Sequence, residues 1–243
     1  MDFYLPITGI FPAFIGLLLF VICSIFFKFP DALIVILILI AQYLGFNLFH
    51  LDGLMDTADA FLGSTDMEKR LLILKDSRIG VYGFFAGVSI LVLKTVLLCS
   101  LFPFARNFPA LVFAYPLWGR LSASLIPCMV KPLNPDSLGA LAKDSRPLLC
   151  VFGMALAFLL WTLPAQGLCL VLLPLTAAMN ETLYIAIAAI LCPCVISPLV
   201  AFYYARLYRK SLGGYTGDAL GAAIETAEVL YKLAALVVLY IFL

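Results

Sequence analysis

The chain has 243 residues, 65% of them hydrophobic and 12% charged, with a mean hydropathy of +1.13. That is more apolar surface than one water-exposed core can bury, so lipid must cover the remainder. Fifteen basic and fourteen acidic residues leave a net charge of +1, which excludes the basic field that nucleic-acid binding requires.

A membrane-spanning helix needs about 20 largely apolar residues. Runs of that kind fall at Gly9–Phe27, Ala32–Phe49, Gly80–Phe102, Phe108–Val130, Leu148–Ala178, Thr182–Tyr204 and Ala219–Leu243. The pattern predicts an all-α, polytopic bundle of about seven transmembrane helices, forming one domain over residues 1–243. The first run reads as a span rather than a cleavable signal, because neither a basic leader nor a small-residue cleavage site flanks it. The fifth run is long for one straight crossing, and Pro164, Gly167 and Pro174 are positions where it would kink or divide.

Basic residues orient the bundle. If the fifth run crosses once, the segments 50–79, 131–147 and 206–218 lie on one face and carry Lys69, Arg70, Lys75, Arg78, Lys131, Lys143, Arg146, Arg206, Arg209 and Lys210. The opposite face keeps Lys28 and Arg106, while Lys94, Arg120 and Lys232 fall within spans. The excess of Lys and Arg makes the three segments cytoplasmic, in a multi-pass protein of the cell (inner) membrane whose amino end is inside. The cysteines, including Cys192 and Cys194, sit in apolar runs without metal-ligand neighbours and read as small buried hydrophobes.

Acidic residues concentrate in two places. In His50-Leu-Asp52-Gly-Leu-Met-Asp56-Thr-Ala-Asp59, helical spacing puts the three carboxylates within a stripe of about 60°. No Lys or Arg lies between them to relieve their repulsion. Oxygen ligands without clustered Cys or His favour magnesium or a similar hard divalent cation; a solvated helix face is the competing reading. Next comes Lys75-Asp76-Ser77-Arg78-Ile79-Gly80, where Lys75 and Arg78 suit phosphate and equally suit a positive-inside anchor.

Arg120, within the fourth run, needs an anionic partner in lipid, either a substrate phosphate or a clustered carboxylate. The second acidic segment, Gly213-Gly-Tyr-Thr216-Gly217-Asp218-Ala-Leu-Gly221-Ala-Ala-Ile-Glu225-Thr-Ala-Glu228, combines a glycine turn with a helix start, a geometry that cradles anions or simply caps a helix. Lys232 is four residues after Glu228 and is expected to pair with it, leaving Glu225, on the face of Asp218, for a ligand or ion. His50 is the sole histidine, which excludes a histidine-based zinc site; it reads as a proton acceptor beside the metal or as an interfacial polar residue.

Taken together, His50-Leu-Asp52-Gly53-Leu-x-Asp56-Thr57-x-Asp59, Lys75-Asp76-Ser77-Arg78-Ile79-Gly80 and Gly213-Gly214-x-Thr216-Gly217-Asp218-x-Leu220-Gly221-Ala222-x-x-Glu225-x-x-Glu228 resemble the adenosylcobinamide-GDP ribazoletransferase (cobalamin synthase) family. Arg120 and Ser137-Leu-Gly139 also fall where that family carries an arginine in a span and a Leu-Gly turn. Two departures stand out: the chain begins later than the family's members, and Phe46-Asn47 stands where glycines are expected.

The resemblance implies joining of adenosylcobinamide-GDP to α-ribazole or α-ribazole 5′-phosphate, with GMP released and Mg2+ as cofactor, late in vitamin B12 assembly. On that reading Asp52, Asp56, Asp59, Asp76, Asp218 and Glu225 are the metal candidates. Lys75, Arg78, Arg120, Thr216, Gly217 and Asp218 are the phosphate and substrate candidates, and Asp52, Asp56, Asp59 and His50 the catalytic ones. The expected partners are these small molecules and the bilayer, with a homo-oligomer left open and no nucleic acid. A CDP-alcohol phosphotransferase is the nearest rival; its glycine follows the second aspartate and an Ala-Arg pair comes after, unlike here. An ion-coupled transporter lined by Glu225, Glu228, Arg120 and Lys94 is a more distant one, disfavoured by the lack of paired halves.

Overall fold

The structure is a computed structural model and describes residues 2–172 and 179–242. Every extended element among them is helical, as the apolar runs predict. The chain opens with α1 (Tyr4–Thr8) and α2 (Ile10–Ile22), which continue through a π-helical turn, Cys23–Phe27, to form one apolar helix. Lys28 ends it in the left-handed conformation, φ 51, and Phe29-Pro30 prevents its continuation.

Helix α3 (Asp31–Gln42) passes through a second π turn, Tyr43–Asn47, into α4 (Leu48–Gly63). Together they make a helix of 33 residues. At 1.5 Å per residue this is about 50 Å, against about 30 Å of hydrocarbon. Its first twenty residues therefore suffice to cross, and Asp52, Asp56 and Asp59 ride on the part that emerges.

A short helix, α5 (Met67–Ile73), follows, its amino end capped by Asp66 Oδ1, which accepts from the Glu68 amide at 3.0 Å. Helix α6 (Val81–Leu101) recrosses. The fourth apolar run departs from the expected span. It breaks into α7 (Pro109–Val112) and α8 (Tyr115–Leu125), and every residue of α8 is buried. Eleven residues reach only about 16 Å, so α8 is an interior helix that meets protein on all sides.

Helices α9 (Pro147–Leu172), α10 (Met179–Leu212) and α11 (Gly217–Phe242) complete the bundle. The described part of the fifth run is one helix with Pro164 inside it; Pro174 lies outside the described residues. Among the described residues, five helices are long and apolar enough to cross a membrane: Tyr4–Phe27, Asp31–Gly63, Val81–Phe104, Pro147–Leu168 and Leu191–Leu212. They make the protein a multi-pass membrane protein, with five of the seven expected runs qualifying. Helix α11 is long enough, but Asp218, Glu225, Glu228 and Lys232 interrupt its apolar character.

Helix α11 is the hub, packed against α4, α6, α8 and α10. Its buried face is rich in Ala219, Ala222, Ala223, Ala227 and Ala235, and small side chains let helices approach closely in a membrane. Outward-facing Leu44, Val92, Leu163 and Leu199 are exposed, as lipid-facing residues are. The segments expected to share one face do meet. Leu133 N donates to Tyr215 O at 2.8 Å, Tyr215 N to Lys131 O at 3.0 Å, and Tyr215 OH to Gly139 O at 2.9 Å.

Candidate active site

Two glycines allow α4 and α11 to cross almost backbone to backbone. A Cβ on Gly53 would lie 2.8 Å from Asp218 Cα, and one on Gly221 would lie 2.9 Å from His50 Cα. No side chain fits either position, which gives the motif glycines a physical reason. The crossing sets the start of α11 beside the aspartate stripe of α4, although more than 150 residues separate them in sequence.

Asp52 is exposed, Asp56 half-buried and Asp218 half-buried, and the carboxylates of Asp52, Asp59 and Asp218 all act electrostatically on Asp56. Thr216 Oγ1 donates to Asp218 Oδ2 at 3.0 Å, fixing that carboxylate at the first turn of α11, where free amides and the helix dipole favour negative charge. Gly217 is exposed beside it and is free of a side chain that would block an approaching ligand. On the far side of α4, Thr57 Oγ1 donates to Gly53 O at 2.6 Å, so the 2.7 Å contact with Tyr208 is donated by the tyrosine.

Asp59 does a different job from its neighbours in sequence. Its Oδ2 accepts from Gly80 N and its Oδ1 from Gly83 N, each at 2.8 Å. The carboxylate thus caps α6 across the interface, satisfying amides that the first turn of a helix leaves unpaired. Both oxygens are already engaged, which leaves Asp52 and Asp56 as the freer carboxylates of the stripe.

Asp76 and Arg78 hold each other. Arg78 Nε and Nη2 donate to the Asp76 carboxylate at 3.0 and 2.6 Å, with the arginine side chain 87% exposed. The Arg78 hydrogen bonds hold Asp76 below the usual carboxylate range, so the pair stays ionised until pH falls beneath that range. Asp76 is therefore engaged by Arg78 rather than free for a metal. Lys75 is exposed on the same turn.

Glu225 corrects an expectation. It is buried, and Lys94 Nζ donates to Glu225 Oε2 and Glu228 Oε2, both at 2.7 Å, while Tyr43 OH donates to Glu225 Oε2 at 2.7 Å. Lys232 acts on Glu228 electrostatically but makes no direct contact with it. Its Nζ lies 3.1 Å over the Tyr115 ring without a hydrogen-bond partner, a cation–π placement. The cation bridging the glutamates comes from α6, so Glu225 belongs to a buried charge network and not to the aspartate group.

Arg120 joins the same network. Its Nη2 donates to Asn47 Oδ1 at 3.1 Å, its Nη1 to Pro116 O at 3.1 Å, and Nη1 stands 3.6 Å from Glu228 Oε1. Its anion here is Glu228, one of the clustered carboxylates of the second acidic segment. His50 Nδ1 is buried without a partner. Sequence reasoning grouped Lys94, Arg120, Glu225 and Glu228 as charges in spans but missed Tyr43 and Asn47, both on the π turn before α4. An aromatic and an amide in an apolar run carry no spacing signal of their own.

The chain matches the cobalamin-5-phosphate synthase family over residues 2–237. The chain belongs to that family. Among its relatives is the adenosylcobinamide-GDP ribazoletransferase of Vibrio parahaemolyticus, 33% identical over 234 residues that cover 93% of this chain and 80% of the relative. The proteins of the same name from Shewanella frigidimarina, at 33% identity with 92% and 81% covered, and Fusobacterium nucleatum, at 29% with 97% and 87% covered, are similar over comparable lengths. No solved structure matches the chain. In this cobalamin-5-phosphate synthase family member, the three motifs therefore lie on the α4–α11 crossing, the α6 entrance and the interior beneath them.

Proposed function

We propose that the protein is a magnesium-dependent adenosylcobinamide-GDP ribazoletransferase of the cell (inner) membrane, working at its cytoplasmic face. It joins adenosylcobinamide-GDP to α-ribazole or α-ribazole 5′-phosphate and releases GMP. Family membership and the names of the relatives support the reaction. The observation that carries the site is the close approach of Gly53 to Asp218, which sets the freer aspartates of α4 opposite the amino end of α11.

The donor set fits Mg2+ bound together with a phosphate ligand. Mg2+ takes one or two carboxylates plus substrate phosphates rather than an all-protein cage. Among the described residues no group of three His, Cys, Asp or Glu converges into a ready cage, so the ion would rest on Asp52 and Asp56, which present oxygens with no basic residue between them, together with the substrate. Asp52 and Asp56 would hold the ion, with Asp218 facing them. When bound, it would neutralise charge on the pyrophosphate.

The chain's own groups account for the rest. Arg78 and Lys75, exposed beside the α6 entrance, neutralise phosphate oxygens, with Arg78 exchanging one carboxylate partner for a phosphate. Gly217 and the free amides of α11 accept an anion at the helix start. A ribose hydroxyl of the ribazole attacks the phosphorus bearing the corrinoid. The new O–P bond forms as the bond to GMP breaks, and the hydroxyl proton passes to an aspartate carboxylate. A carboxylate is better placed than His50, whose Nδ1 is buried.

The test is to incubate purified protein with adenosylcobinamide-GDP, α-ribazole and Mg2+ and to measure GMP. The proposal expects GMP in equal amount to the corrinoid product and none after chelation of the metal. No GMP from folded protein would contradict it.

A further inference from the structure

A well-formed cleft lies away from the aspartates. A cleft of about 480 Å³ opens between the last turns of α10 and Met129, which follows α8, and is lined by Phe202, Ala205, Arg206, Arg209 and Lys210. Residues 202, 206, 209 and 210 recur at helical spacing and form one face. The opposite face of α10 is occupied: Tyr208 hydrogen-bonds Thr57 of α4, and Tyr204 hydrogen-bonds Thr226 of α11. Arg206 and Lys210 are each two residues from Tyr208, about 200° around the helix, so the basic face turns away from the α4–α11 crossing and its chemistry.

Among the described residues no acidic side chain lines the cleft, and none of their ion pairs involves Arg206, Arg209 or Lys210. All three are exposed. One helical turn further into the span, the same helix shows lipid a strip of apolar surface, with Leu199 61%, Phe202 55% and Tyr203 59% exposed. The cations lie in the last two turns of a helix long and apolar enough to cross the membrane. Cations alone in such a position would be explained as a positive-inside anchor. The concave wall adds a shaped, acid-free pocket at headgroup depth with an acyl-chain track beneath it, and basic pockets of this kind hold anionic headgroups.

We infer that this cleft binds the phosphate headgroup of an anionic phospholipid, whose chains run along Phe202 and Leu199. The headgroup phosphate accepts from Arg206, Arg209 and Lys210, and Met129 closes one side. The site is separate from the transferase centre, so it stands or falls independently of the reaction assigned above.

The test uses the purified full chain in neutral detergent, loaded with phosphatidylglycerol or with phosphatidylcholine of the same chains, and native mass spectrometry to count retained lipid. Wild-type protein should retain one phosphatidylglycerol in preference to phosphatidylcholine. Combining Arg206→Gln, Arg209→Gln and Lys210→Gln should lower that retention on the order of 100-fold, since three headgroup contacts are lost. Lys69→Gln with Lys143→Gln, removing cations elsewhere at the same end, should leave it unchanged. If the triple variant does not fold, Met129→Trp, which fills the cleft without changing charge, carries the test and should abolish the preference. Equal retention of both lipids by wild-type protein would overturn the inference. So would wild-type retention in the folded triple variant or in Met129→Trp, or retention of inorganic pyrophosphate in preference to either lipid.

Discussion

Asp59 shares a stripe with Asp52 and Asp56, yet its oxygens meet two backbone amides at the start of α6. The three aspartates should therefore respond differently to substitution. Asp52→Asn and Asp56→Asn, which keep size and remove charge, are expected to lower turnover at least 100-fold, about 2.7 kcal/mol of transition-state stabilisation, with little change in thermal melting. Asp59→Ala leaves two amides unpaired and is expected to cost about 1–3 kcal/mol of stability, read as a lower melting temperature. Equal melting of all three variants would contradict the assignment of Asp59 to the α6 cap. His50→Ala should retain measurable turnover, and Arg78→Ala should raise KM more than it lowers kcat; a dead, folded His50→Ala protein would make the histidine the base. The aspartate spacing was legible because helical periodicity is a property of the chain. The difference between Asp59 and its neighbours was not, since it depends on where Gly80 and Gly83 arrive.

At the scale of elements, the interior charges decide how α3, α6, α8 and α11 are registered against one another. Lys94 serves two glutamates, and Arg120 approaches Glu228 from α8. Breaking a buried ion pair by removing one partner costs about 3–5 kcal/mol, because the other charge is left unpaired. Lys94→Met is therefore expected to unfold or strongly destabilise the bundle in detergent, and adding Glu225→Gln should recover part of the loss. A double variant as unstable as the sum of the single ones would show that the two groups are not coupled. The sequence flagged these residues through the rarity of charge in spans, but it pointed to Lys232 as the partner of Glu228 because intrahelical spacing was the only geometry available. The actual partner arrives from α6. The broken, buried form of the fourth run was not legible for a related reason: apolar composition suits burial in protein as well as in lipid, and hydropathy does not separate the two.

For the whole molecule, charge distribution in the sequence placed the segments 50–79, 131–147 and 206–218 together, and the pairing of Lys131 and Leu133 with Tyr215, with the Gly53–Asp218 crossing, joins them at one end. Single cysteines at Ser64 and Ser211, in a background with the native thiols replaced, should label from the same side of the membrane; labelling from opposite sides would sink the orientation and the single-site mechanism with it. What composition could not convey was the form of two of the seven runs: among the described residues five helices are long and apolar enough to span, while the fourth run traverses the interior as the broken α7 and α8, and α11 carries charges within its length. The most direct test of the account is turnover measured against magnesium concentration for wild-type protein, Asp52→Asn, Asp56→Asn and Asp218→Asn. The account expects saturation by magnesium in the wild type and a large loss of turnover, or a need for much more magnesium, in the α4 variants. Full activity of all three variants at limiting magnesium would contradict a metal–phosphate centre at the α4–α11 crossing.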